Sequence, residues 1–181
     1  MIVSKMNWKH KLIPKGKLLD IGCQHGKLRS IVNPDDYFGL DIDIEYAGKW
    51  DKGHFKLADI RKRLPYKDNS FDIIYCNHVF EHINEDEQAF FIKECYRILR
   101  HKGIILLFTP TPYHPYFFDH PQHKRASTHG SLITLLTKHH DFHLIECKYG
   151  DARWIPQRLQ SIWRAFFKSR DVYIIAVKFS D

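Results

Sequence analysis

The strongest constraint on the fold is a regular alternation of short apolar runs that end in polar or glycine residues. Such runs are typical of strands buried on both faces of a parallel sheet. Between the fourth and fifth runs, Asn84 and Glu87 form the pattern of a helix cap, and apolar residues follow at helical spacing as far as a stop at Gly103. The predicted strands are 17–21, 37–42, 54–60, 71–76 and 103–109.

The C-terminal part continues the alternation. Apolar spacing predicts a helix through Leu132, Leu135, Leu136 and His139, followed by strands at 142–149 and 172–179. Alternating strands and helices imply an α/β sandwich around a mostly parallel sheet. Because such sheets bind ligands at the carboxyl ends of their strands, the functional residues are expected directly after strands.

Length and composition favour one globular domain, 1–181, with 44% hydrophobic residues to form its core. The net charge of +7 favours phosphates, nucleic acid or anionic lipid without requiring any of them. The four cysteines are widely spaced and the first residues lack a signal-peptide core, so we expect reduced thiols and a cytoplasmic protein.

A glycine turn follows the first predicted strand, with the sequence DIGCQHG at 20–26. Glycines at a strand end let the backbone approach a ligand closely. The turn lacks the second glycine of a dinucleotide fingerprint, and its glycines are too close together for a phosphate-binding P-loop. Neither phosphate motif is present.

Acidic residues lie near the ends of the second and third predicted strands. Asp41 ends the second, where a carboxylate can accept both hydroxyls of a ribose, and Asp59 lies in the third. Together, DIGCQHG, GLDI at 39–42, ADI at 58–60 and LPYKDNSFDII at 64–74 resemble the class I S-adenosylmethionine-dependent methyltransferases. The likeness is strongest to the small-molecule group that includes ubiquinone-biosynthesis methyltransferases, and it covers about 17–112.

This resemblance implies a Rossmann-like, seven-stranded, mostly parallel sheet with helices on both faces and an antiparallel last strand. It also implies S-adenosylmethionine as the cofactor, with ribose contacts at Asp41. The other implied contacts are Asp20, Gly22, Cys23, Gly26 and Asn77 for the methionine half, Asp59 and Ile60 for the adenine, and Ile42 beside Asp41. The family turn usually reads GCGxG, and Gln24 replaces its middle glycine.

The segment NHVFEH at 77–82 lies where the resembled family places residues that face the sulfonium and the methyl acceptor. Methyl transfer requires alignment, and a hydroxyl acceptor must also lose its proton. Histidine titrates near pH 6.5, which suits that task. We therefore predict that His78 or His82 is the catalytic general base.

Residues 78–82 also match the HxxEH pattern of inverted zinc proteases, but they follow a buried strand instead of lying within a long helix. Some methyltransferases of the resembled class bind a divalent metal here through glutamate and histidine. In this chain His78 replaces the first glutamate, while His120 or His123 could supply a downstream ligand. We expect instead that Glu81 and His82 pack the loop and that no metal is bound.

The acceptor side is less defined. The proline-rich segment 109–118 is predicted to form a loop over the active site. Because the segment after the fourth strand lacks the Pro-Pro-aromatic signature of base-amine methylation, we expect a small-molecule, lipid or sugar acceptor methylated at oxygen. A non-catalytic binding module and an RNA methyltransferase are the alternatives, although nucleic acid is not the expected partner.

Two further segments lie outside the predicted strands and helices described so far. Residues 1–16 form a basic N-terminal segment, and 151–170 form a predicted amphipathic helical insertion between the last two strands. Its basic and aromatic residues suit peripheral membrane contact through 153–170, a lipid-linked or phosphorylated acceptor, or a partner subunit. The alternative is a helix that packs its apolar stripe on the sheet.

Overall fold

The computed structural model describes residues 16–30, 32–51, 53–114, 117–139, 141–149 and 171–179. Their seven strands form one sheet in the order β3-β2-β1-β4-β5-β7-β6. The strands are β1 Leu18–Ile21, β2 Tyr37–Asp41, β3 Phe55–Leu57, β4 Phe71–Asn77, β5 Leu99–Pro110, β6 Phe142–Tyr149 and β7 Asp171–Lys178. The α-helices are α1 Glu85–Ile98 and α2 His129–His139, and three short 3-10 helices span Pro34–Asp36, Ile44–Lys49 and Phe80–His82.

The sheet is parallel except at β7, which runs antiparallel to both β5 and β6. The predicted α/β class and the antiparallel last strand are therefore confirmed. Chain order reverses between β1 and β4, because β2 and β3 lie to one side of β1 while β4 lies to the other. An open α/β sheet binds its ligand at the carboxyl ends of the strands beside such a reversal.

The register brings the strand ends to one edge. Ile21 at the end of β1 lies beside Leu40 of β2 and Cys76 of β4. The glycine turn after β1, the acid ending β2 and the histidine segment after β4 consequently start from neighbouring positions.

Alternate residues of each strand form two separate cores. One face, with Leu19, Ile74 and Leu107, packs against both α1 and α2. The opposite face, with Leu18 and Ile73, packs against residues that include Leu28, Val32 and Trp50. The segments 1–15 and 151–170, and with them the basic N-terminal segment and the predicted amphipathic helix, lie outside the described residues.

The predicted α1 begins as expected, since the Glu87 carboxylate accepts the Asn84 N–H at 2.7 Å. Its predicted end at Gly103 is wrong, because Leu99 already has an extended backbone and starts β5. Gly103 instead lies inside β5, at a shift in the pairing with β4, where a Cβ would lie 2.8 Å from the Arg100 carbonyl oxygen. The glycine therefore permits a strand irregularity and does not stop a helix.

The other boundaries differ less from prediction. Strand β3 ends at Leu57, short of the predicted Ile60, because the chain turns at Asp59, whose carbonyl accepts the Lys62 N–H. The four cysteines are free thiols, as predicted, and burial raises the pKa of Cys147 to about 11. Within the described ranges, no helix combines the length and apolarity needed to cross a bilayer.

A partly buried charge network joins α1 to the chain before β4. Arg97 binds both oxygens of Glu94, at 2.9 and 2.7 Å, and the Asp68 carboxylate at 2.7 Å. The same guanidinium donates to the carbonyls of Leu64 and Tyr66. Its hydrogen bonds lower the pKa of Glu94, so this carboxylate is held ionised although it is only 6% exposed.

We expect Arg97→Ala to reduce the free energy of unfolding by about 3 kcal/mol, because it leaves the buried Glu94 carboxylate without its cation. Arg100→Ala is the matched control: its pair with Asp72 is far more exposed, and its loss should cost less than about 1 kcal/mol. Urea denaturation measures both. Since the Glu94 pKa is lowered on folding, the difference should persist above pH 4.5 and shrink as the pH falls below it. Equal losses in the two variants would contradict this assignment.

Candidate functional site

The glycine turn after β1 is held between β2 and the segment after β4. The Gly22 N–H donates to the Leu40 carbonyl at 2.8 Å. Gly22 has φ +71°, and a Cβ there would lie 2.1 Å from Val79 Cγ2. Only glycine satisfies both the left-handed backbone and this close approach, so Gly22 fixes how near the ends of β1 and β4 come.

Gln24 also has a left-handed backbone, with φ +46°, where the family usually has glycine. This conformation costs a non-glycine residue about 1–2 kcal/mol. Two hydrogen bonds stabilise it: the Gln24 N–H donates to Asp41 Oδ2 at 3.0 Å, and the Gln24 carbonyl accepts from Trp50 Nε1 at 2.9 Å. The side chain of Gln24 is exposed, so the turn has a glycine-type backbone at this position despite the substitution.

Asp41 is 7% exposed, and both of its carboxylate oxygens accept backbone N–H groups. Oδ2 binds Gln24 as described, and Oδ1 accepts the Asp43 N–H at 3.1 Å. The next residue, Ile42, is 64% exposed. A fixed carboxylate beside an exposed apolar side chain suits the ribose and base of a nucleoside.

Asp20 and Cys23 are buried as deeply as Asp41, and their polar groups face β2. The Asp20 carboxylate is 4% exposed and accepts the Tyr37 hydroxyl at 2.5 Å. Burial, followed by the charges of Asp20 and Asp41, raises the pKa of the Cys23 thiol, which excludes Cys23 as a thiolate nucleophile at neutral pH. The cofactor contacts of both residues stay predictions.

Asp59 reaches the same edge through a backbone link, since the Ala58 N–H donates to the Asp41 carbonyl at 2.9 Å. Its carboxylate is bound by the Arg61 guanidinium at 2.7–3.0 Å, and this hydrogen bonding lowers the pKa of Asp59. Ile60 is 8% exposed and belongs to the core on the helix-bearing face. The sequence analysis missed the ion pair of Asp59 with Arg61, although an arginine two residues after an aspartate could have indicated it.

The histidine segment starts where β4 ends. Asn77 is the last residue of β4 and is half-buried, and His78 follows with a left-handed backbone, φ +55°. The His78 N–H donates to the Phe108 carbonyl at 3.0 Å, which holds this conformation. Such strain in a non-glycine residue is uncommon and is concentrated at functional sites.

Glu81 is the buried partner of this segment, at 1% exposure. Its Oε1 lies 3.3 Å from His78 Nδ1, and its Oε2 accepts the Thr109 hydroxyl at 3.3 Å. The hydrogen bond from His78 to Glu81 raises the pKa of the imidazole, against the opposing effect of burial. Because Glu81 engages Nδ1, the ring has Nε2 available for proton transfer. Sequence reasoning identified the histidine but missed Thr109.

His82 faces a different element. Its Nδ1 lies 3.1 Å from the Gln122 carbonyl oxygen. The backbone carbonyl of Glu81 accepts the N–H groups of Lys124 and Arg125, at 2.8 and 3.2 Å. The segment after β5 is therefore fastened to the turn that carries the two histidines. The predicted loop at 109–118 begins only after Pro110, because Thr109 and Pro110 are the last residues of β5.

The strand reversal, the glycine turn and the acid ending β2 define a Rossmann-like enzyme fold for a nucleoside-containing cofactor. Residues 19–107 match the family model described as a methyltransferase domain. Over these residues, which are almost half of the chain, the sequence is similar to S-adenosylmethionine-dependent methyltransferases.

Individual relatives agree with this similarity. The chain is 32% identical over 99 residues to a probable S-adenosylmethionine-dependent methyltransferase of Mycolicibacterium smegmatis, covering 51% of this chain and 37% of that protein. It is 30% identical over 90 residues to an uncharacterized protein of Methanocaldococcus jannaschii, covering 50% and 39%. The chain thus spans less than half the length of these relatives.

The fold extends over nearly the whole chain. The crystal structure of an S-adenosylmethionine-dependent methyltransferase from Mesorhizobium loti superposes with a TM-score of 0.75, covering 97% of this chain and 98% of that one. At 13% identity this likeness concerns the fold. It agrees with the seven-stranded architecture expected from the sequence.

We expect Glu81→Gln to lower the pKa of His78, because the amide removes the negative charge that stabilises the imidazolium while burial of the ring continues to oppose it. NMR titration of the His78 ring in both proteins measures the shift. His101, which is exposed on β5, serves as an internal control, and its ring signals should be the same in both proteins. An unchanged His78 pKa would show that the buried carboxylate does not act on this imidazole.

Proposed function

We propose that the chain transfers the methyl group of S-adenosylmethionine to an oxygen atom of a small-molecule, lipid or sugar acceptor. The observation that carries the proposal is the His78–Glu81 pair, which lies at the same sheet edge as the glycine turn and Asp41. A base next to a nucleoside site is what oxygen methylation requires.

The residues at the ends of β1 and β2 fit the cofactor. Gly22 supplies backbone at a point where a side chain would collide with Val79, and Asp41 offers a fixed carboxylate for ribose hydroxyls. Ile42 supplies exposed apolar surface beside that carboxylate. When bound, the cofactor supplies a methyl group already activated by its sulfonium, so the protein's task is binding, alignment and removal of the acceptor proton.

His78 is the better placed of the two predicted bases. Glu81 binds its Nδ1 and so directs the basic lone pair of the neutral ring to Nε2, which would accept the acceptor's hydroxyl proton. The resulting imidazolium is stabilised by the buried carboxylate. His82 has its Nδ1 at the Gln122 carbonyl, which supports a role in positioning the segment after β5.

The segment after β5 supports an acceptor with apolar character. Tyr113 is 49% exposed and Phe118 is 79% exposed, although both are large and hydrophobic. They belong to the segment that is fastened to Glu81, close to the proposed base. Exposed aromatic side chains there would contact an acceptor and exclude water from the transferring methyl group.

Asp41→Asn should weaken binding of S-adenosylhomocysteine at least tenfold, because a charge-assisted hydrogen bond contributes about 1.5–3 kcal/mol. Isothermal titration calorimetry measures the affinity, and thermal unfolding checks that the variant is folded. Asp35→Asn is the control, since this exposed carboxylate lies before β2. Binding by Asp41→Asn at the wild-type affinity would place the ribose elsewhere.

His78→Ala should lower turnover roughly 10²- to 10⁴-fold while cofactor affinity is retained, because it removes the base but not the nucleoside contacts. The assay follows methyl transfer from labelled S-adenosylmethionine into a fractionated cell extract. The wild-type rate should rise as the pH passes through the pKa of His78, which lies above its ordinary 6.5.

His82→Ala is the comparison variant and should retain more activity than His78→Ala. Wild-type turnover by both alanine variants would overturn the assignment of a histidine base. Cofactor binding with no transfer to any extract fraction would instead favour the non-catalytic binding module.

A further inference from the structure

Three histidines from two separate segments meet beside the proposed active site. His82 comes from the turn after β4, while His120 and His123 come from the segment after β5. One nitrogen from each ring lies within 4.8 Å of the others. The rings of His120 and His123 are stacked with centroids 4.3 Å apart, and the His82 ring lies 5.0 Å from that of His123.

The backbone around the cluster orients two of these rings for coordination. His82 Nδ1 lies 3.1 Å from the Gln122 carbonyl oxygen, and His123 Nδ1 lies 3.1 Å from the Phe117 carbonyl oxygen. A carbonyl can only accept, so each Nδ1 carries the proton and each Nε2 carries the free lone pair. Metal-binding histidines commonly have this arrangement, in which a carbonyl fixes the tautomer.

His120 needs one adjustment. Its Nδ1 accepts the Gln122 N–H at 3.3 Å, so its Nε2 carries the proton in the absence of a metal. Coordination through Nε2 would move that proton to Nδ1 and release the Gln122 N–H. Because Gln122 is exposed, water can replace the lost acceptor at little cost.

The surroundings of the cluster favour a bound cation. The buried Glu81 carboxylate adjoins His82 in the turn after β4 and supplies negative potential beside the three rings.

We propose that His82, His120 and His123 together bind one zinc ion and that this ion fastens the segment after β5 to the turn after β4. Glu81 is outside the ligand set because its two oxygens already face His78 and Thr109. Three imidazoles with an open fourth position form a recognised zinc environment. The proposal replaces the sequence-based expectation of a metal-free loop and does not depend on the identity of the acceptor.

The distances require only local movement. Zinc–nitrogen bonds of about 2.0–2.1 Å in tetrahedral geometry place the nitrogens roughly 3.4 Å apart. The present separations of up to 4.8 Å would close by rotation of the side chains. His120 is exposed, so its ring has space to rotate toward the other two.

The test measures zinc binding by the full chain after chelator treatment and dialysis. Titration in competition with a chromophoric chelator at pH 7.5 gives affinity and stoichiometry. We expect one tight equivalent for the wild type and at least tenfold weaker binding for His120→Gln and His123→Ala. His101→Ala, which removes an exposed histidine outside the cluster, should bind zinc like the wild type.

Thermal unfolding provides a second measurement that also reports whether each variant folds. Zinc should raise the midpoint of the wild type and of His101→Ala but not that of His120→Gln. Absence of a tight equivalent in the wild type would overturn the proposal. So would equal zinc affinity in the wild type and in the two cluster variants.

Discussion

The contact between Gly22 and Val79 sets the geometry on which the candidate site depends. A single methyl group on Gly22 would overlap the Val79 side chain, so the turn after β1 and the segment after β4 pack more closely than any other residue at position 22 would allow. That approach brings the Asp41 region and the His78 region to the same edge of the sheet. Parallel strands alone would align these ends, but the missing side chain determines how near they lie.

Buried Glu81 connects the turn after β4 to β5 and to the segment after β5. Its carboxylate binds His78 and Thr109, and its backbone carbonyl holds Lys124 and Arg125. A carboxylate at 1% exposure is unfavourable unless it is hydrogen-bonded, so His78 and Thr109 stabilise Glu81 in this buried position. The same residue therefore tunes the proposed base and positions the segment that carries the histidine cluster.

Much of this fold could be predicted from the sequence, because buried parallel strands appear as apolar runs and the glycine turn and strand-end acids are local patterns. The true end of α1 could not be predicted, because Leu99 suits a helix or a strand. Only its pairing with β4 determines that Leu99 belongs to β5. Likewise, Asp20 was recognisable, but its burial against Tyr37 depends on residues seventeen positions apart. Long-range pairing of this kind leaves no periodic signal.

The histidine cluster lies next to Glu81, so an ion bound there would also affect His78. His78 and His82 flank one turn, yet their rings serve different neighbours: His78 binds the Glu81 carboxylate, whereas His82 faces Gln122 and the rings of His120 and His123. An ion held by the cluster would lie near Glu81 and reduce its negative potential at His78. The pKa of His78 would then fall, so a bound zinc ion would let His78 act as a base at lower pH. The same ion would order the segment after β5.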